Sequence, residues 1–250
     1  MKIGFIGCGN MGGAMMQAML DSGKCGPEEM MVSDHSEELL RQRKERNGVQ
    51  VTTDNREVAA FAEVLFLAVK PQYYEVVIQE IRDVVTDRQW IVTIAPGKTL
   101  SWVEKIFGRE LKIIRTMPNT PAMVKAGMMA LCPNARVQRE DLAMLRELFG
   151  SFSNTEVVEE SLMDVVTAVS SSSPAYVFMF IEAMADAAVA GGMSRDLAYT
   201  FAAQAVLGSA QMVLATGKHP GELKDMVCSP AGTTIEAVRV LEERGLRSAV

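Results

Sequence analysis

The stretch Lys2-Ile3-Gly4-Phe5-Ile6-Gly7-Cys8-Gly9-Asn10-Met11-Gly12 decides the fold. An apolar run of strand character meets three glycines spaced Gly-x-Gly-x-x-Gly, and an amphipathic pattern follows over 11–20. Alone that spacing is weak. Between a strand and a helix, with a second strand closing the unit near residue 33, it reads as a dinucleotide-binding βαβ turn. Gly7 permits the tight turn, Gly9 lets a pyrophosphate approach the backbone, and Gly12 allows close packing of helix on sheet. Asn10 and Met11 complete the loop, and the helix N-terminus supports the phosphate charge.

Working outward, short apolar runs at 2–6, 30–33, 50–52, 64–69, 90–95 and 112–116 alternate with amphipathic stretches such as 37–46 and 101–107. Such alternation predicts right-handed crossovers and a Rossmann-type, doubly wound, mostly parallel α/β sheet. A further strand pair at 128–131 and 156–158 flanks a helix near 139–149. Strand signals then vanish, so residues 1–160 are assigned to the dinucleotide-binding domain and 161–250 to an all-α domain. Ser173-Pro174 is a helix start, Gly191-Gly192 a stop, Ser194 a cap and Gly217 an end. The helix between Ser194 and Gly217 is apolar almost all round and needs burial on more than one side. A helical unit of ~90 residues is too small to bury several such helices, so a homodimer is expected.

The carboxyl ends of the strands carry the polar residues, where an open α/β sheet binds its ligands. The second strand ends Ser33-Asp34-His35-Ser36. Asp34 is placed to accept the ribose hydroxyls of NADH and to repel the 2′-phosphate of NADPH. Ser33, His35 and Ser36 are placed to donate to that phosphate, so NADPH and NADH both stay open. Asn55 either reaches the adenosine or caps a helix. Ala68-Val69-Lys70-Pro71 ends the fourth strand, with Lys70 read as a cofactor or structural contact rather than a base. Ala95-Pro96-Gly97 and Met117-Pro118-Asn119-Thr120-Pro121 end the next two. Two prolines around Asn119-Thr120 make a rigid loop, suited to a nicotinamide edge or a substrate, or simply to a stiff turn.

The 250 residues are 48% hydrophobic and 22% charged, ordinary for a chain that buries a core. A net charge of −6 argues against nucleic-acid and anionic-membrane partners. Cys8, Cys25, Cys132 and Cys228 lack paired spacing, and His35 and His219 stand far apart, so no metal site is expected. The apolar segment 175–192 carries Glu182 and Asp186 and reads as short of a membrane span. The chain is expected to be soluble and cytoplasmic, and the pattern is still helical at Val250, as if more sequence followed.

One further segment, 219–238, breaks a helical pattern at Ser229-Pro230, turns through Ala231-Gly232 and resumes at Thr233-Thr234. The break leaves hydroxyls and free backbone N–H groups where a helix begins, a seat for a small carboxylate or simply a capped corner. With Phe5 to Gly12, Ala68-Val69-Lys70-Pro71, Arg115 to Pro121 and Ser173-Pro174-Ala175-Tyr176-Val177-Phe178, it resembles pyrroline-5-carboxylate reductase along essentially the whole chain. The resemblance implies reduction of 1-pyrroline-5-carboxylate to proline with NADPH or NADH. It also implies a nucleotide-binding domain followed by an intertwined dimerisation domain, and assembly into rings of dimers. By motif, Thr234 would hydrogen-bond the substrate ring nitrogen, while Gly232, Thr233 and Ser229 would hold its carboxylate. Asn55 and Ser36 would touch the adenosine, with Ala95 and Asn119 on the nicotinamide side.

The chain departs from the family pattern at Ala231, at Ser170–Ser173 and at Ala95-Pro96-Gly97-Lys98. Ala231 stands where glycine is usual, a strain where the turn needs positive φ. A cyclic imine protonates readily, so no strong enzymic acid is required, and none is evident around 229–234. His219 and Asp225 read as helix-start and surface residues. Two other readings are a β-hydroxyacid dehydrogenase, which would need a base such as Lys218 or Lys224, and a non-catalytic NAD(P)H sensor.

Overall fold

A computed structural model describes all residues, 1–250. Eight strands form one sheet in the order β3-β2-β1-β4-β5-β6-β7-β8. They are β1 Ile3–Ile6, β2 Met30–Ser33, β3 Gln50–Thr52, β4 Val64–Leu67, β5 Trp90–Thr93, β6 Lys112–Met117, β7 Gly127–Pro133 and β8 Ser153–Val157. The strands β3 to β6 in that order pair in parallel. Between β6 and β7 the chain makes only the short turn Thr120–Val124, too little for a crossover, so β7 runs antiparallel to β6. A real helix returns before β8, which is again parallel to β7.

Helices α1 Asn10–Asp21, α2 Glu37–Asn47, α3 Asn55–Phe61, α4 Tyr74–Ile81, α5 Leu100–Phe107 and α6 Arg139–Phe149 cover the sheet. Burial on both faces explains why β1 and β4 are apolar at every position. One face packs Phe5 on Phe66, stacked at 4.4 Å, with Phe149 edge-on at 6.0 Å. The other gathers Ile6, Leu65, Leu67, Ile78 and Ile113. The expected strands and helices fall on observed elements. Helices α3 and α4 were not singled out in the sequence, because each is short and opens directly from a strand-end loop.

After β8 come α7 Met163–Val166, α8 Ser173–Ala190, α9 Arg195–Thr216, α10 Pro220–Val227, α11 Thr233–Glu243 and α12 Leu246–Ala249. Ser173-Pro174 is not a free helix start. A π turn over Thr167–Ser171 links α7 to α8, giving one helical run, Glu160–Ala190. Proline has no N–H to offer the carbonyl four residues back, here that of Ser170. That carbonyl accepts instead from Asn119 Nδ2 at 3.3 Å. The run and α9 are each long and apolar enough to cross a membrane by length and composition, contrary to the reading of 175–192 alone. Gly192 and Gly217 take positive φ where the helices end, and Ser194 occupies the N-cap of α9.

Contacts divide the chain into two compact units, Met1–Tyr176 and Val177–Val250. The second unit has a small core of Ala185, Ala198 and Ala202 with Ile181, Val189 and Met193 around it. Most of its apolar surface lies outside that core: Phe178, Met179, Phe201, Leu207 and Leu214 are all exposed.

Candidate active site

The glycine turn joins β1 to α1, and its three glycines answer to different demands. Gly7 has φ +91°, and a Cβ there would sit 2.8 Å from the Ala68 carbonyl. At Gly12 a Cβ would lie 2.7 Å from the Gly7 oxygen and 3.0 Å from Ala68 Cβ. Both must be glycine for the fold's own sake. A Cβ on Gly9 would meet nothing within 4 Å. The space beside Gly9 is therefore a cradle that the protein leaves open. Gly9 is also the N-cap of α1, and no side chain caps that helix. The first-turn N–H groups of Asn10, Met11 and Gly12 have no partner along the helix, as an anion site requires.

Beside the turn lies a cavity of about 300 Å³ lined by Gly7, Asp34, His35, Asn55, Val69, Tyr73, Val76, Val77 and Glu80. Four residues expected here from the sequence, Gly7, Asp34, His35 and Asn55, are thus brought together, with Val69. The Asp34 carboxylate accepts from the backbone N–H of Cys8 at 3.0 Å and from that of Ser36 at 3.1 Å. Buried beneath it, the Cys8 thiol is pushed up to about 11, by desolvation first and by the Asp34 charge second. Ser33 Oγ donates to Asn55 Oδ1 at 2.7 Å, and Asn55 Nδ2 donates to Glu80 at 2.8 Å. Ser33 is fully buried, so its hydroxyl braces Asn55 rather than facing a ligand. Ser36 caps α2, accepting from the Leu39 N–H at 3.3 Å, and is not in the lining. Asn55 does not cap α3; Asp54 does.

A second cavity, of about 540 Å³, lies along the carboxyl ends of the strands. Gly9, Asn10, Met11, Ala68, Val69, Lys70, Pro71, Ala95, Pro96 and Asn119 line it, with Thr167 and Ser171 from the π turn. Every residue expected on the nicotinamide side is here. The Asn119 side chain, however, is tied up: Oδ1 accepts from the Met128 N–H at 2.9 Å while Nδ2 reaches Ser170. Asn119 shapes the wall as a strut. Ser171 adds a second tie, donating to the Pro118 carbonyl at 3.0 Å. The buried Tyr74 hydroxyl donates to the Leu67 carbonyl and accepts from the Ile94 N–H at 3.1 Å, bracing two strand ends that border the crevice. Burial also raises its pKa, so it stays a phenol.

Sequence reading missed Tyr73, Val76 and Glu80, which reach the first cavity from the α4 region, and Arg43, whose guanidinium donates to the Cys8 carbonyl at 3.0 Å. The amphipathic pattern over 74–81 was the available signal for α4. Nothing local marks Arg43.

In the second unit the segment 219–238 folds as two helices around a turn. His219 caps α10, its Nδ1 accepting from the Gly221 N–H at 3.1 Å. Ala231 adopts φ +56°, the positive value that its position made a strain risk. Gly232 is the N-cap of α11, its N–H bonded to the Ser229 carbonyl at 3.0 Å, and no side chain caps the helix. A Cβ on Gly232 would lie 2.4 Å from Ser229 Oγ, so Ser229 and Gly232 are mutually fitted. Thr233 is exposed and Thr234 half-buried in the first turn of α11. The available lysines are ion-paired: Lys218 with Glu222, and Lys224 with Asp225. Asp225 also raises the Lys224 pKa, the opposite of what a base requires.

Comparison with known proteins supplies the family. A profile described as "Pyrroline-5-carboxylate reductase dimerisation" matches residues 160–250, and one described as "NADP oxidoreductase coenzyme F420-dependent" matches residues 2–97. Pyrroline-5-carboxylate reductase of Escherichia coli (strain K12) is 53% identical over 249 residues, covering 100% of this chain and 93% of that protein. The chain belongs to the pyrroline-5-carboxylate reductase family. Two solved reductases share its fold. That of Coxiella burnetii is 34% identical, with a TM-score of 0.89 over 99% of this chain and 92% of the other. The Plasmodium falciparum enzyme, solved with NADP bound, is 30% identical, with a TM-score of 0.90 over the same shares. The Rossmann-type sheet followed by a helical dimerisation domain is the architecture of this reductase family, and NAD(P)H is its reductant.

Proposed function

We propose that the reduction of 1-pyrroline-5-carboxylate to L-proline, the activity of this reductase family, is carried out in this chain by two uncapped helix starts. The single observation that carries this reading is that pairing. One helix opens on the glycine cradle at Gly9 beside the crevice, and the other opens on hydroxyl residues. When bound, NAD(P)H supplies the hydride that reduces the imine carbon.

The chain's own residues do the rest. Gly7, Gly9, Asn10, Met11 and Gly12 would hold the pyrophosphate on backbone N–H groups. Asp34, His35 and Asn55 would serve the adenosine ribose, with Ser36 holding Asp34 through its backbone N–H, while Ala68, Val69, Lys70, Pro71, Ala95 and Asn119 would wall the nicotinamide. The N–H groups of Gly232 and Thr233, with Ser229, would hold the substrate carboxylate at the positive end of α11. Thr234 is the catalytic residue in this reading. Its hydroxyl orients the ring nitrogen and stabilises the developing amine, so rate comes from orientation rather than from a titrating acid.

Residues 1–160 are taken as the dinucleotide-binding domain and 161–250 as the dimerisation and substrate domain. The exposed apolar faces of α8 and α9 support a homodimer rather than a membrane span, and rings of dimers are the further assembly proposed. Net charge −6 argues against nucleic acid, and four free thiols suit a cytoplasmic enzyme. The test is oxidation of NADH or NADPH dependent on pyrroline-5-carboxylate. Turnover with at least one is expected, and none with either would refute the proposal.

A further inference from the structure

The pocket beside Asp34 carries a cofactor choice that the family's use of NAD(P)H leaves open. NADPH differs from NADH only by a phosphate on the adenosine 2′-oxygen, so the choice depends on the charge at that point. The 300 Å³ cavity is lined by two carboxylates, Asp34 and Glu80, and by no lysine or arginine. Both carboxylates are held in place. Asp34 accepts from two backbone N–H groups, those of Cys8 and Ser36, which prevent it from swinging away. It keeps acceptor capacity for ribose hydroxyls, since a carboxylate offers about four lone-pair positions. Glu80 is fixed from the other wall by Asn55, itself anchored by Ser33. The one imidazole in the lining, His35, has Nδ1 3.1 Å from Asp34 Oδ1, turned toward that carboxylate.

We propose that this reductase selects NADH over NADPH, with Asp34 and Glu80 as the specificity-determining residues. The proposal rests on the cofactor assignment above, and it adds Glu80, which no sequence motif marks.

Direct titration of the full-length protein with NADH and with NADPH, by fluorescence or calorimetry, tests it without turnover. NADH is expected to bind roughly tenfold tighter or better, with the gap narrowing between low salt and ~0.5 M salt, as a charge effect must. Glu80→Gln can still accept from Asn55 and removes only charge. It should narrow the Kd ratio roughly threefold, chiefly through tighter NADPH binding, and Glu80→Lys should narrow it further. Equal or tighter binding of NADPH by the wild type overturns the proposal, as does a ratio unmoved by Glu80→Gln and by salt. Activity keeps the two readings apart. Equal turnover with both cofactors would defeat the preference but not the reductase, whereas no turnover with either would defeat the reductase while the Kd ratio still reports on the pocket.

Discussion

The turns at 7–12 and 229–232 both begin helices that no side chain caps, and they are built differently. The turn at 7–12 is locked by backbone: glycine stands wherever the chain's own atoms would collide, and only the space at Gly9 is free. The turn at 229–232 is held by one internal hydrogen bond and carries an alanine at φ +56°. The first reads as a rigid cradle for a long, charged cofactor. The second keeps strain and leaves its first-turn hydroxyls open, as a loop shaped to hold a small ligand does. An uncapped helix start is a binding site only where its neighbouring atoms leave space unfilled, as at Gly9.

The contrast can be broken most severely at Gly7. Gly7→Ala places a methyl against the Ala68 backbone at a positive φ, and urea unfolding should show a loss of about 3 kcal/mol. A next, smaller effect comes from Cys8 beneath the same turn. Its thiol stays protonated to about pH 11 in the fold but ionises near its ordinary value of 9.0 in the unfolded chain. Above pH 9 the unfolded state releases the proton first. Stability is thus full below pH 9 and falls as pH rises toward 11, by about 3 kcal/mol at most. Unfolding midpoints from pH 8 to 11 should fall less steeply for Cys8→Ser than for the wild type.

Gly9→Ala sharpens the comparison from the other side. The new methyl meets no protein atom, so stability should shift by less than about 1 kcal/mol while cofactor Kd rises roughly tenfold. Equal losses of stability and binding would remove the distinction between Gly9 and its neighbours. The smallest effect belongs to the second turn: Ala231→Gly should relieve the left-handed strain and stabilise by roughly 0.5–1 kcal/mol, raising Tm by about 1–4 °C. A lower Tm would mean that the turn is not strained as its φ indicates.

Much of this was legible in the residues because backbone demands leave a signature. Gly7, Gly9 and Gly12 between a strand and a helix set the βαβ unit, and the strand-end motifs at Ala68–Pro71 and Met117–Pro121 met in one cavity as expected. What escaped depends on long-range partners. Glu80 and Val76 enter the cavity beside Asp34 from a helix with no motif, and Arg43, outside that cavity, ties the glycine turn from α2 through the Cys8 carbonyl. Asn119 looked like a ligand contact. The missing N–H of Pro174, far along the chain, left a Ser170 carbonyl that drew its amide inward. Ser33 likewise had to be seen buried beside Asn55 before its role as a brace was clear.

The start of α11 is proposed to handle substrate and the start of α1 to handle cofactor. Thr234→Ala, assayed in parallel for turnover of pyrroline-5-carboxylate and for Kd of NADH, tests it most directly. Loss of a donor aimed at developing charge predicts kcat lower by roughly 100-fold with cofactor Kd unchanged. Unchanged kcat, or a rise in cofactor Kd that matches the loss of turnover, would contradict it.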